Sequence, residues 1–228
     1  MLAYLPQTES IQAFSVDVKL RKSLDRADEI LAHIKELSKA NAKMSYMTLA
    51  WGNRWDGPKA VEKRAIVADI DKQLVDSKIS QDERRELSSA FVRLIGLDLY
   101  YVYKQVIDRL IEAKSHRLQP KPVNPTGDNR EWITYQANVS EWNSEVNKPF
   151  TLESFDLRER LKITTPKAAL SNQELTQAKA FSDQIVTMYA DCQSEGNYTK
   201  ETAEFIDRSR ELKGINDKTR EVFGYTFE

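Results

Sequence analysis

The sequence predicts a mainly α protein: an N-terminal antiparallel helical bundle with a long central helix, plus a smaller C-terminal helical region. Three observations carry that expectation. The stretch Ser80 to His116 contains no proline and a single glycine, Gly96, across thirty-seven residues. The whole chain of 228 residues has only seven glycines and seven prolines, and Pro120, Pro122 and Pro125 share one short segment, which leaves little of the turn chemistry that many strands require. Apolar residues elsewhere recur at steps of three and four, the spacing of a helical face.

Residues Ile11 to Leu20 are ambiguous, because Phe14, Val16, Val18 and Leu20 alternate with polar neighbours as in a strand. From Leu20 the helical reading is clear: Leu20, Leu24, Ala27, Leu31 and Ile34 form one face, with Arg26, Glu29, His33 and Glu36 on the other. This helix is expected to run through Met44 and Met47 until the turn Trp51 to Pro58, whose Gly-Asn and Asp-Gly-Pro content breaks it. Pro58 suits the first turn of a second helix, carried by Val61, Ala65, Ala68 and Ile70 to Leu74 and ending near Asp76. The short joint before Ser80 predicts that helices two and three form an antiparallel hairpin.

Ser80 and Glu83 have the pattern of a capping box, which fixes the start of the central helix. Asp82 and Glu83 at its start, and Lys114, His116 and Arg117 at its end, suit the helix dipole. One face carries Val92, Ile95, Leu99, Val102, Val106 and Leu110, and a second set, Leu87, Phe91, Leu94, Tyr101, Ile107 and Ile111, widens it. So broad an apolar surface needs neighbours on more than one side. Asp98, Gln105, Asp108, Arg109 and Glu112 form a polar strip expected to face solvent or a partner. Gly96 marks a kink or the close approach of another helix.

The segment PKPVNPTGDN cannot be regular helix and reads as a linker, dividing the chain into a bundle domain over 1–116, a proline-rich linker over 117–130 and a helical region over 131–228. Beyond it, Trp132, Tyr135, Val139, Trp142 and Val146 favour a helix over a strand. A short helix is expected from about Thr151 to Lys162. A second capping box, Ser171 with Glu174, opens a helix with Leu175, Ala178, Phe181, Ile185, Met188 and Cys192 inward, and Gly196 is placed to end it in a left-handed cap. Thr199 is expected to cap another helix stopping at Gly214, and the aromatic tail after Ile215 to pack back on the body.

Function is less legible. The formal net charge is −1 with a charged fraction of 30%, which argues against a surface built wholly for nucleic acid. The single cysteine, Cys192, allows no intrachain disulfide and no cysteine-based zinc site, so a cytoplasmic setting is expected. No secretory signal is recognisable at MLAYLPQTES, and the most apolar window, Phe91 to Tyr103, is interrupted by Arg93 and Asp98, so no membrane span is expected.

Phosphate-loop, dinucleotide-binding, hydrolase-elbow and zincin motifs are all absent from the sequence. Glu29 with His33, and Glu112 with His116, share helical faces but lack the spacing and the further carboxylates of a bundle metal centre, so no metal ligand, cofactor or catalytic residue is assigned. Asp76 to Glu83 resembles the end of a calcium loop only faintly, since Lys72, Leu74 and Ser77 stand where ligands and glycine belong. Cys192 falls on an apolar face and reads as a buried inert thiol.

Two features suggest binding. Trp51, Arg54 and Trp55 crowd one turn, a combination suited to anchoring a protein partner or stacking bases, although packing of the hairpin end accounts for such aromatics more often. From Lys104 to Arg130 there are six basic residues against three acidic, and from Glu174 onward seven basic against eleven acidic. Arg109, Lys114, Arg117, Lys121 and Arg130 are therefore the candidate nucleic-acid contacts, and the acidic C-terminal helices could meet a basic partner or another copy. The leading expectation is a non-enzymatic interaction protein, a subunit or adaptor that binds a protein partner or itself. A nucleic-acid-associated module ranks second and a small helical metalloenzyme third.

Overall fold

The computed structural model describes residues 5–51, 57–119, 129–152 and 154–225, with side chains from Lys22 onward. Among them are eight helices and no strand: α1 (Leu5–Trp51), α2 (Ala60–Asp76), α3 (Gln81–Leu118), α4 (Arg130–Val146), α5 (Leu157–Thr164), α6 (Asn172–Glu195), α7 (Lys200–Arg208) and α8 (Leu212–Phe223). The chain is mainly α, and the strand alternatives over Ile11 to Leu20 and at Ile133 to Val139 give way to helix.

The central helix is the axis of the molecule. Ser80 caps it as expected: its Oγ accepts from Glu83 N at 3.4 Å, and its own N–H donates to Glu83 Oε2 at 3.1 Å. Leu99, Tyr103, Val106, Ile107 and Leu110 are completely buried. Helix α6 runs antiparallel along α3, from the Lys114–Glu174 ion pair through the stacked rings of Tyr103 and Phe181 to Ser88 beside Gly196. Gly96 makes room for the rings packed on α3, since a Cβ there would fall 2.9 Å from Tyr189 Cε2 of α6 and 3.3 Å from Phe155 Cε1. Helix α8 lies parallel to α3, with Arg109 Nε donating to Asn216 Oδ1 at 2.9 Å and the Arg117 guanidinium 4.2 Å from the Tyr225 ring centre.

Helices α4 and α5 close another side. Tyr135 Oη donates to Ile111 O, Trp142 Nε1 donates to Thr164 O, and buried Arg160 donates to Val146 O and to Tyr100 Oη. Residues on both sides of the 117–130 segment thus contribute to one continuous core. The central helix is gripped by the C-terminal helices as well as by α1.

Several expectations change. The joint at Ser77 to Ser80 does not produce a packed hairpin of α2 with α3: α2 lies instead against α1 and α7. The slot beside the start of α3 is taken by α1, whose Tyr46 ring packs on Phe91 at 6.0 Å and whose Lys39 pairs with Glu83 at 2.7 Å. That lysine, ahead of Ser80, holds the Glu83 carboxyl down at about 2. Helix α2 begins at Ala60, two residues after Pro58, so the proline precedes the Lys59 N-cap and does not open the first turn. Thr151 and Ser154 bond to one another outside any helix, and the fifth helix starts only after Asp156, whose side chain caps Glu159 N. Helix α7 stops at Arg208 rather than at Gly214, and Gly214 lies within α8, where a Cβ would collide with Arg208 O. Tyr101 is largely exposed, while Asp98 and Arg109 of the expected polar strip turn onto Tyr198 and Asn216. The left-handed cap at Gly196 and the return of the tail as α8 are as expected.

Candidate interaction surface

Helix α1 has forty-seven residues, roughly 70 Å at ~1.5 Å per residue. Near its C-terminal end, Ala42, Tyr46 and Ala50 are buried against the body. The sequence places Leu24, Ala27, Leu31 and Ile34 on a face continuous with these, and such a face is expected to be covered. It is not: all side chains from Lys22 to Ile34 are exposed, Leu24 at 57%. The body simply does not extend alongside that part of α1.

A second apolar face points the other way. Ile30, Leu37, Met44 and Trp51 recur every seven residues, Ile34, on the border of the two faces, and Met47 fill in beside them, and all six are exposed, Leu37 at 64%, Met44 at 67% and Trp51 at 55%. At 100° per residue this row lies roughly opposite Ala42, Tyr46 and Ala50. A helix that is apolar on two opposite sides needs cover on both. From Ala42 to Ala50 one side is covered and the other bare.

Of the expected partner-binding residues, Trp51 therefore lies at the end of a bare apolar row rather than plugging a hairpin core. Arg54 and Trp55 lie outside the described residues, as does Lys121. Beside the end of α1 a recess of about 370 Å³ opens between Leu49, Ala50, Phe91, Tyr101, Tyr198 and Arg210. Its floor is polar as well as aromatic: Tyr198 Oη donates to Asp98 Oδ2 at 2.8 Å. Burial, and then the Asp98 carboxylate, push the Tyr198 phenol well above its usual value.

The basic candidates divide. Lys114, Arg117 and Arg130 line one recess of about 550 Å³ beside Glu131 and Tyr225. Arg109 is not with them and is engaged with Glu112 and Asn216. Lys114 is committed internally, donating to Glu174 Oε2 at 2.6 Å and to Ala169 O at 2.9 Å, with both side chains of the ion pair largely buried. Burial alone would raise the Glu174 carboxyl. The Lys114 ammonium, the Ser171 N–H and the Tyr225 hydroxyl outweigh it and hold the group below its ordinary value. Arg117 stacks over Tyr225 with its side chain exposed.

Among the described residues no three His, Cys, Asp or Glu side chains converge to hold a metal ion. Glu29 and His33 stand on the exposed stretch of α1, and Glu112 pairs with Arg109. Cys192 is buried, accepts a hydrogen bond from Thr199 N at 3.4 Å, and has its thiol pushed up by burial. Among the described residues no helix is long and apolar enough to cross a membrane.

The outward face of α1 was legible in the seven-residue spacing of Ile30, Leu37, Met44 and Trp51, but the stronger pattern beside it drew the sequence reading to the other face. No family model, no curated protein and no solved structure matches this chain.

Proposed function

We propose that the protein is a non-enzymatic helical interaction protein, a subunit or adaptor of a larger assembly, and that it docks through the outward face of α1. The observation that carries this is the bare row from Ile30 to Trp51 on a helix whose opposite side is packed from Ala42 to Ala50. Exposed apolar rows of this extent mark contact surfaces, because leaving them in water forgoes burial free energy and invites aggregation. The proposed setting is the cytoplasm, a reading supported by the single, buried thiol of Cys192.

The test is co-purification from the native host with the wild-type chain and with Leu37→Glu. The reading predicts at least one partner, or a second copy, that the variant loses. Identical recovery with both chains overturns it.

A second reading, nucleic-acid binding, is favoured by the convergence of Lys114, Arg117 and Arg130 on one recess. It is weakened by the commitment of Lys114 to Glu174. Salt-sensitive binding that disappears in Arg117→Glu/Lys121→Glu supports it, and no binding at low salt removes it.

A further inference from the structure

We propose that the outward face of α1 is covered by α1 of a second copy of this chain, the two helices lying parallel and in register. This rests on the reading of that face as a contact surface and names its occupant. Three features of the face select a second copy.

The first is its heptad pattern. Ile30, Leu37, Met44 and Trp51 occupy one core position of a coiled-coil seam (d), and Ile34, Asn41 and Thr48 the other (a). Ile34 at a with Leu37 at d is the combination that favours two parallel strands. The buried residues toward the body, Ala42, Tyr46, Leu49 and Ala50, fall at the outer positions b, f, b and c; the body reaches the flank of the seam at Ser38, position e, whose hydroxyl lies 3.1 Å from that of Ser77, and leaves positions a and d open.

The second is charge. Between Ile30 and Trp51 the charged residues are Lys35, Glu36, Lys39 and Lys43, all at positions b, c or f. None falls in the seam or on its flanks, so two identical faces meet without like-charge repulsion. At roughly half exposure each, Ile30, Ile34, Leu37, Met44, Met47 and Trp51 leave on the order of 100 Å² apiece. Together with their neighbours they approach the roughly 800 Å² per partner of a standard specific interface.

The third is Asn41, exposed and set in the middle of this apolar row. Buried against an apolar partner its amide would lose its hydrogen bonds to water and gain none. Against a second copy in parallel register it meets the same amide in the same layer, the arrangement by which a lone asparagine fixes register and strand number. A shifted pairing separates the two amides, and an antiparallel one sets each in the layer of Leu37 or Met44 of the other copy instead of against its own equivalent.

Sedimentation velocity of the purified full chain at tens of micromolar tests the association, and oxidation of Asn41→Cys tests the register. The expected results are the mass of two chains for wild type, the mass of one chain for Leu37→Glu and for Ile34→Lys with thermal melts that stay cooperative, and a covalent dimer from Asn41→Cys. Wild type, with only Cys192, and Lys43→Cys, at an outer position, are expected to give none. A wild-type mass of one chain, or a dimer that survives both seam variants, overturns the proposal. Failure of Asn41→Cys, or of Ile30→Cys at one end of the row, to cross-link while the dimer forms overturns the parallel register, because an antiparallel pairing sets the two copies of position 30 far apart. A monomeric wild type that still loses a partner on Leu37→Glu refutes the second copy while leaving the interaction reading intact. Loss of neither self-association nor partner refutes both.

Discussion

Changing Lys114 to Met should destabilise the fold, although the site is one that sequence reading assigned to ligand contact. The ammonium sits 2.6 Å from Glu174 Oε2 and 2.9 Å from Ala169 O, and the two side chains of the pair are 15% and 8% exposed. Removing one partner of a buried ion pair costs about 3–5 kcal/mol, because the other charge is left unpaired. Glu174 keeps the Ser171 N–H at 2.7 Å and the Tyr225 hydroxyl at 2.8 Å, so part of that loss is offset. Each such bond contributes about 1 kcal/mol, which brings the expected cost to about 1–3 kcal/mol. For a chain of this size that is a fall in Tm of about 2–12 °C. Urea denaturation at pH 7, followed by far-ultraviolet circular dichroism, measures it.

The pH dependence gives the sign. In the folded wild type the Glu174 carboxyl is held below its ordinary value of 4.5, so the folded state binds fewer protons there than the unfolded chain. Its contribution is present above that value and lost as pH falls through the lowered one. In Lys114→Met the carboxyl loses the ammonium that helps to hold it down, so it is protonated at higher pH than in wild type and acid lets the variant neutralise the buried group. The gap between wild type and variant should therefore narrow as pH is lowered from 7 toward 4. A cost below about 1 kcal/mol, or a gap that does not change with pH, refutes the structural role of this pair.

Three further outcomes follow from the packing. Gly96→Leu drives a side chain into Tyr189 and Phe155 and should cost about 1–3 kcal/mol by overpacking; a denaturation midpoint equal to wild type contradicts the close approach of α3 and α6. Lys78, at φ 57° after α2, adopts the left-handed conformation at a cost that glycine avoids, so Lys78→Gly should raise stability by about 0.5–1 kcal/mol, and a loss of stability in the same assay would show that the lysine side chain matters more than its backbone. A fragment of residues 1–116 leaves Tyr103 without Phe181 and Arg109 without Asn216. It should melt without a cooperative transition, whereas a sharp one would show that the first half holds a core of its own.

What the sequence made legible was local. Ser80 with Glu83, Ser171 with Glu174, Thr199 and Gly196 marked helix ends that the structure keeps, because capping hydrogen bonds and left-handed glycines act within one turn of chain. Gly96 announced a close approach but not its partner, Tyr189, which lies ninety-three positions away in the chain. The pairing of helices was not legible for the same reason. Short joints suggest neighbours, yet α2 rests on α7, tied by Ala60 N donating to Asp207 Oδ1 at 2.7 Å and Arg64 Nε to Tyr198 O at 3.1 Å. The two apolar faces of α1 show the deepest limit: periodicity states that a face wants cover, and only the placement of the body shows which face has it.

The most direct test of the bare face is the oxidation rate of Met44 by dilute peroxide, read by mass spectrometry of the protein in its native assembly. Alone, Met44 is 67% exposed and should oxidise like a methionine in a short peptide. The account predicts a rate several-fold slower for wild type in its assembly, returning to the peptide rate in Leu37→Glu. Oxidation of Met44 at the peptide rate in both proteins would contradict it, because the outward face of α1 would then be open water in the working molecule.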